Sequence, residues 1–159
     1  LESMKAINER LLVLDLKNLN DETLQSALKI PDSCGNYILK VGIDKYTHGL
    51  IDESLAIFHF LTLVNADEPD YWFRLGLVAN KCEKYDLALS ALAITSELAP
   101  EFIGAHVYAA YCHIKQHSRE NTLEELALAK KIQETTQVED KWRENILDIE
   151  SLLAVAVLT

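Results

Sequence analysis

One stretch of the chain decides its fold: Trp72-Phe73-Arg74-Leu75-Gly76-Leu77-Val78-Ala79, followed by Tyr85, Ala88, Leu92 and Pro100. Its glycine belongs to a series of small residues spaced 34 residues apart, Gly42, Gly76 and Ala110. A second series keeps the same interval: Ser54, Ala88 and Thr122. Small residues that recur at this period are typical of stacked helix pairs, because two antiparallel helices approach closely at two points of each repeat.

The order of Trp, Leu-Gly, Tyr, Ala and Pro in the middle repeat follows the tetratricopeptide (TPR) pattern. Only 5 Gly and 3 Pro occur in 159 residues, which leaves little material for loops and favours an all-α chain. The apolar periodicity predicts three helix pairs and one final helix, at about 36–47 with 51–65, 70–81 with 85–98, 102–116 with 120–135, and 138–157. The predicted fold is therefore three tandem TPR pairs in a right-handed solenoid.

The same periodicity divides the chain into three parts. Residues 1–34 form a predicted helical extension that is rich in apolar residues over 4–19 and ends in a linker, Pro31-Asp32-Ser33-Cys34-Gly35. Residues 35–136 hold the repeats, at about 35–68, 69–102 and 103–136. Residues 137–159 form a predicted capping helix, whose apolar face carries Trp142, Ile146, Ile149, Leu153 and Ala156.

Composition excludes several classes of function. The net charge of −10, without a basic stripe, argues against nucleic-acid binding. The longest apolar run, residues 152–158, is too short to insert into a membrane. Three cysteines without a C-x-x-C pair indicate free thiols in a reducing cytoplasm. Because His113 and His117 lack further ligands and no catalytic motif occurs, we expect no metal, no cofactor and no enzyme.

The first helix of each repeat carries a candidate groove. Counted from Gly42, Gly76 and Ala110, the residues one and four places later and three places earlier share one helix face. These nine residues are Leu39, Ile43, Tyr46, Phe73, Leu77, Asn80, Val107, Tyr111 and Ile114, and all except Asn80 are apolar or aromatic. This surface must be covered by a peptide of another protein, by residues 4–19 of this chain or by a second copy, unless the nine are simply core. The Lys, Asn and Arg that clamp terminal carboxylates in TPR co-chaperones are absent here.

The third repeat contains Ala105-His106-x-x-Ala109-Ala110-x-Cys112, which resembles a segment of the class II type III secretion chaperones. Leu75-Gly76-Leu77, Tyr85-Asp86-Leu87-Ala88 and Tyr46-x-x-Gly49 resemble that family at the same relative spacings, over Val41 to Ile132.

The resemblance implies a chaperone of the bacterial cytoplasm. Such a chaperone binds the extended apolar segment of a secreted translocator and keeps that client soluble. By position, the resemblance assigns client contacts to Tyr46, Phe73, Leu77, Tyr111 and Ile114, and a homodimer contact to residues 4–19. The alternative function is a general TPR adaptor that assembles soluble partners.

Overall fold

The computed structural model describes residues 32–155, and over this range the chain is helical with short turns. Its helices are α1 (Asp32–Thr47), α2 (Ile51–Val64), α3 (Pro69–Lys81), α4 (Tyr85–Leu98), α5 (Ile103–Lys115), α6 (Arg119–Thr135) and α7 (Asp140–Val155). The contacts divide the chain between Tyr71 and Trp72 into two compact units, and each is a separate body of packed helices. None of the helices between residues 32 and 155 is long and apolar enough to cross a membrane.

The all-α fold of sequential helix pairs is confirmed, and from α2 to α7 the helix ends lie within two residues of the predicted ones. The predicted linker is wrong, because α1 already begins at Asp32 and runs through Gly35. Gly35 is buried, and a Cβ there would lie 2.8 Å from the Tyr71 hydroxyl oxygen. The missing side chain therefore lets the helix pass close to Tyr71, whereas the sequence suggested a turn.

Close approach between paired helices recurs in both units. In the first unit, a Cβ on Gly42 would lie 3.0 Å from side-chain atoms of Ile57 and Phe58. The buried Ser54 hydroxyl donates to the Gly42 carbonyl across the pair at 2.9 Å. In the second unit, a Cβ on Gly76 would lie 2.8 Å from Leu92 Cγ. At these points the helix backbone itself is the packing surface.

Each pair is joined by the same backbone turn. The last turns of α1, α3 and α5 end on equivalent bonds from the amides of Leu50, Lys84 and Ser118 to the carbonyls of Lys45, Ala79 and His113. The residue before each donor has a positive φ: 76° at Gly49, 59° at Glu83 and 57° at His117. A six-residue closure of this kind satisfies the free carbonyls of a helix end, and glycine suits its left-handed position best.

One core cluster of the second unit lies between α5, α6 and α7. Its fully or nearly buried members are Ile103, Val107, Ala110, Leu126, Ala129, Trp142, Ile146, Ile149 and Leu153. Polar contacts add to this packing: Lys130 pairs with Glu150, and Arg119 Nη1 donates to the Leu153 carbonyl at 2.9 Å. The helix α7 thus buries its apolar face against the last helix pair. Ala156, the last residue of the predicted apolar face, lies outside the described residues.

Substituting Gly76→Ala should lower the free energy of unfolding by about 1–3 kcal/mol, because the new methyl group collides with Leu92. Urea denaturation measures the change. Combining Gly76→Ala with Leu92→Ala should cost less than the sum of the two single changes, since the shortened side chain makes room for the methyl group. Strictly additive costs would show that the two residues do not meet.

Substituting His117→Gly should raise the free energy of unfolding by about 0.5–1 kcal/mol, because glycine removes the strain of a positive φ. The matched control is Lys115→Gly, two residues earlier and inside α5, which should lower it by about 1 kcal/mol. Destabilisation by both variants would contradict the left-handed conformation of His117.

Candidate peptide-binding surface

In the first unit, the predicted groove residues follow one face of α1. Leu39, Ile43 and Tyr46 are spaced by four and three residues, which places them on adjacent turns of the helix. Leu39 and Ile43 are half-buried, and the Tyr46 side chain is 38% exposed. All three therefore have surface left for a ligand to cover.

In the second unit, five of the six predicted residues are half-buried. Phe73, Leu77 and Asn80 lie on α3, and Tyr111 and Ile114 lie on α5. Phe73, Tyr111 and Ile114 rest against the core between α5, α6 and α7 with part of their surface still accessible. A side chain held in this way offers an apolar contact whose position is already set by its neighbours.

Val107 is the exception, and its assignment to the groove is corrected. Its side chain is 0% exposed and belongs to the core formed by α5, α6 and α7. The position lies one turn before Tyr111, but α6 and α7 cover this side of α5. A client cannot reach it without opening the core.

Five rings form an aromatic cluster, which we define as Phe73, Phe102, Tyr108, Tyr111 and Trp142. Phe73 packs edge-on against Phe102 and Tyr108, with ring centroids 4.7 and 5.8 Å apart. Tyr108 lies 6.0 Å from Tyr111 and 6.3 Å from Trp142, and Phe102 lies 6.0 Å from Trp142. Four of these five contacts are edge-to-face, which is a favourable geometry, and the Tyr108–Tyr111 contact is tilted, with 55° between the ring planes. The cluster joins α3, α5 and α7 within the second unit.

Phe102 and Tyr108 also belong to this surface, although the repeat pattern did not predict them. Tyr108 precedes Tyr111 by three residues and so shares its side of α5, which was an available signal. The repeat pattern hid it, because the positions 34 and 68 residues earlier carry Arg74 and Lys40. Gly104 was also missed: a Cβ there would lie 2.8 Å from atoms of both Phe102 and Trp142, so glycine admits these rings.

Tyr111 is tied to α7 by its polar end. Its hydroxyl donates to Asp148 Oδ2 at 2.9 Å and lies 3.4 Å from the Asn145 carbonyl oxygen. Burial, the hydrogen bond to Asp148 and the negative charge of that carboxylate raise the pKa of Tyr111 above its ordinary value. The hydroxyl therefore stays protonated at neutral pH and remains a donor.

The described residues fit neither of two kinds of reactive site, a metal centre or a nucleophilic thiol. Among residues 32–155, no group of three or more His, Cys, Asp or Glu side chains is placed to hold a metal ion. Burial raises the pKa of the Cys112 thiol to about 11, which makes it a poor nucleophile at neutral pH. What the surface offers is apolar area and aromatic faces.

No family model matches the chain, and no curated protein matches it by sequence. Solved structures do match. One chain in the structure of the CopN–Scc3 complex is 27% identical to this protein, over 84% of this chain and 78% of the matched chain, with a TM-score of 0.75. PcrH bound to the chaperone-binding region of PopD is 16% identical over 80% of this chain and 96% of that one, with a TM-score of 0.74.

The type III secretion chaperone SycD of Yersinia enterocolitica also matches. In complex with a peptide of the translocator YopD, it is 16% identical over 81% of this chain and 96% of its own, with a TM-score of 0.72. SycD has also been solved as a translocator chaperone in an alternative dimer. Structural matches across most of the chain thus confirm the predicted resemblance to the fold of type III secretion chaperones.

The core and the surface respond differently to a charge. Val107→Asp should abolish cooperative folding or lower the free energy of unfolding by about 3 kcal/mol or more, because an unpaired carboxylate is buried. Leu77→Asp should cost less, about 1–2 kcal/mol, because the partly exposed position of Leu77 lets water reach the new carboxylate. Circular dichroism during urea denaturation compares the two variants. Equal losses would show that Leu77 is core and not surface.

Proposed function

We propose that this chain is a type III secretion chaperone of the bacterial cytoplasm. It binds an extended apolar segment of a secreted translocator and keeps that client soluble until secretion. One observation carries the proposal: each unit carries a set of partly exposed apolar and aromatic side chains, on a fold shared with a chaperone that was crystallised with a peptide of a translocator.

The chemistry of the surface favours an apolar, extended ligand. The contact set we propose is Leu39, Ile43 and Tyr46 in the first unit, with Phe73, Leu77, Asn80, Tyr108, Tyr111 and Ile114 in the second. Apolar area removed from water contributes about 25 cal/mol per Å², so apolar side chains of a client gain free energy where they pack on either set. Aromatic faces with polar tips also suit an extended backbone, which needs hydrogen-bond partners beside its apolar anchors.

A charged clamp for a terminal carboxylate does not fit the same places. Leu39 and Ile43 on α1, and Phe73 and Leu77 on α3, occupy the positions where such a clamp needs cations and amides. An apolar side chain there cannot donate a hydrogen bond to a carboxylate. This difference separates the proposed client from the C-terminal tails that TPR co-chaperones hold.

Further properties support the cytoplasmic location and the layout of the chain. Cys34, Cys82 and Cys112 lie within the described residues and none of them forms a disulfide, as expected in a reducing compartment. We keep the division into an extension (1–34), three repeats (35–136) and a capping segment (137–159) as part of the proposal. The homodimer contact through residues 4–19 stays a prediction, since these residues lie outside the described range.

The test is co-expression with candidate translocators of the same bacterium, meaning secreted proteins with long apolar helices. The wild-type chain should keep one of them soluble and co-purify with it. Leu77→Asp should reduce recovery at least about tenfold, since about 1.4 kcal/mol of lost binding energy already gives that factor. The matched control is Leu128→Asp, an exposed leucine on α6 outside the contact set, which should bind like wild type.

Two results would overturn the proposal. Equal losses in Leu77→Asp and Leu128→Asp would show that binding does not use the proposed surface. Capture of soluble charged partners alone, with affinity that falls steeply as salt is raised, would indicate the adaptor function. Binding through apolar contacts should instead change little with ionic strength.

A further inference from the structure

The geometry points to Asp148 as a positioning residue for the client-binding surface: by accepting the hydrogen bond of the Tyr111 hydroxyl, it holds the Tyr111 ring where a client contacts it. This inference rests on the proposed function and adds α7 to the site. Tyr111 itself is in the proposed contact set, whereas Asp148 acts only through Tyr111.

The Tyr111 ring is held at both ends. Its face lies beside Tyr108, with centroids 6.0 Å apart, while its hydroxyl reaches α7. A tyrosine side chain on a helix has more than one staggered rotamer available, and a ligand must otherwise select one of them. A ring that is fixed in advance loses less freedom when the client binds, which raises affinity.

Asp148 is the stronger of the two acceptors at that hydroxyl. The carboxylate oxygen is 2.9 Å away, while the Asn145 carbonyl lies at 3.4 Å, near the limit of a hydrogen bond. A hydrogen bond to an ionised acceptor is also about twice as strong as one between neutral groups. Among residues 32–155, Asp148 forms no ion pair, so Tyr111 is the side chain that its carboxylate engages.

The helix that carries Asp148 is itself well anchored. Trp142 packs beside Phe102 and Tyr108, and Arg119 of α6 donates to the Leu153 carbonyl near the other end of α7. Asp148 lies between these two anchor points. The helix therefore places a carboxylate at a fixed point beside α5, which a flexible tail cannot do.

A double-mutant cycle tests the inference on the full chain. The probe is the shortest synthetic peptide of the captured translocator that still binds wild type. Asp148→Ala should weaken binding about three- to tenfold, in line with the cost of ordering one otherwise free side chain when the client binds. Asp148→Asn keeps an acceptor and should recover part of the loss. In a Tyr111→Phe background, Asp148→Ala should have no further effect, because the hydroxyl is already gone.

The control on the same helix is Glu144→Ala, which removes an exposed carboxylate and should bind like wild type. The nuclear magnetic resonance signals of the Tyr111 ring, identified by their absence in Tyr111→Phe, add a readout at neutral pH that a general loss of stability would not produce. In folded Asp148→Ala these signals should shift, because the hydroxyl loses its carboxylate acceptor, whereas in Glu144→Ala they should match wild type.

Several outcomes would overturn the inference. The urea midpoints of Asp148→Ala and Glu144→Ala are compared first, so that unfolding of the variant is not counted as a loss of binding. Wild-type affinity in Asp148→Ala, an equal loss in the Tyr111→Phe background, or unchanged Tyr111 ring signals would each show that Asp148 does not act through Tyr111. Failure of the wild-type chain to bind any translocator peptide would instead overturn the proposed function, and this inference with it.

Discussion

The close approach of paired helices is the constraint on which the other features depend. At Gly42 and Gly76 there is no room for a Cβ, so Phe58 and Leu92 pack directly on backbone. Ala110 and Thr122 keep the same spacing in the last pair, and both are fully buried. A larger residue at such a point separates the two helices and costs contacts along their length. Three pairs built on this rule repeat one arrangement, including its turn.

The sequence predicted helix positions well, because a 34-residue period reports where backbones must approach. It was less informative about side-chain surroundings, since phasing by repeats assumes that each repeat has the same neighbours. The last pair has α7 beside it, which buries Val107 and brings Trp142 to Tyr108. The same limit applies at Gly35: the sequence predicted a linker there, whereas the glycine is needed because the helix passes close to Tyr71. Contacts far apart in sequence leave no periodic signal.

The segment that carries the family resemblance is mainly structural. Ala105, Ala109, Ala110 and Cys112 are all buried in α5. His106, which stands where the repeat pattern has Trp, places Nδ1 2.8 Å from Glu125 Oε2 on α6. These residues specify how the third pair packs, and none of them offers much surface to a ligand. Choice of client must therefore depend on less regular positions, such as Tyr108 and Tyr111, whose equivalents differ between repeats.

An apolar surface that waits for a client must stay accessible without recruiting other copies of the chain. Ring contacts keep this surface accessible, because Phe73, Tyr108 and Tyr111 hold one another in place while remaining partly exposed. The net charge of −10 opposes association of this surface with other copies, because like-charged molecules repel at a distance beyond the range of apolar contact. Tethering Tyr111 to α7 extends the same logic, since a ring fixed by its own protein has less freedom to collapse onto its neighbours. Rigidity of the surface thus supports both its exposure and its readiness to bind.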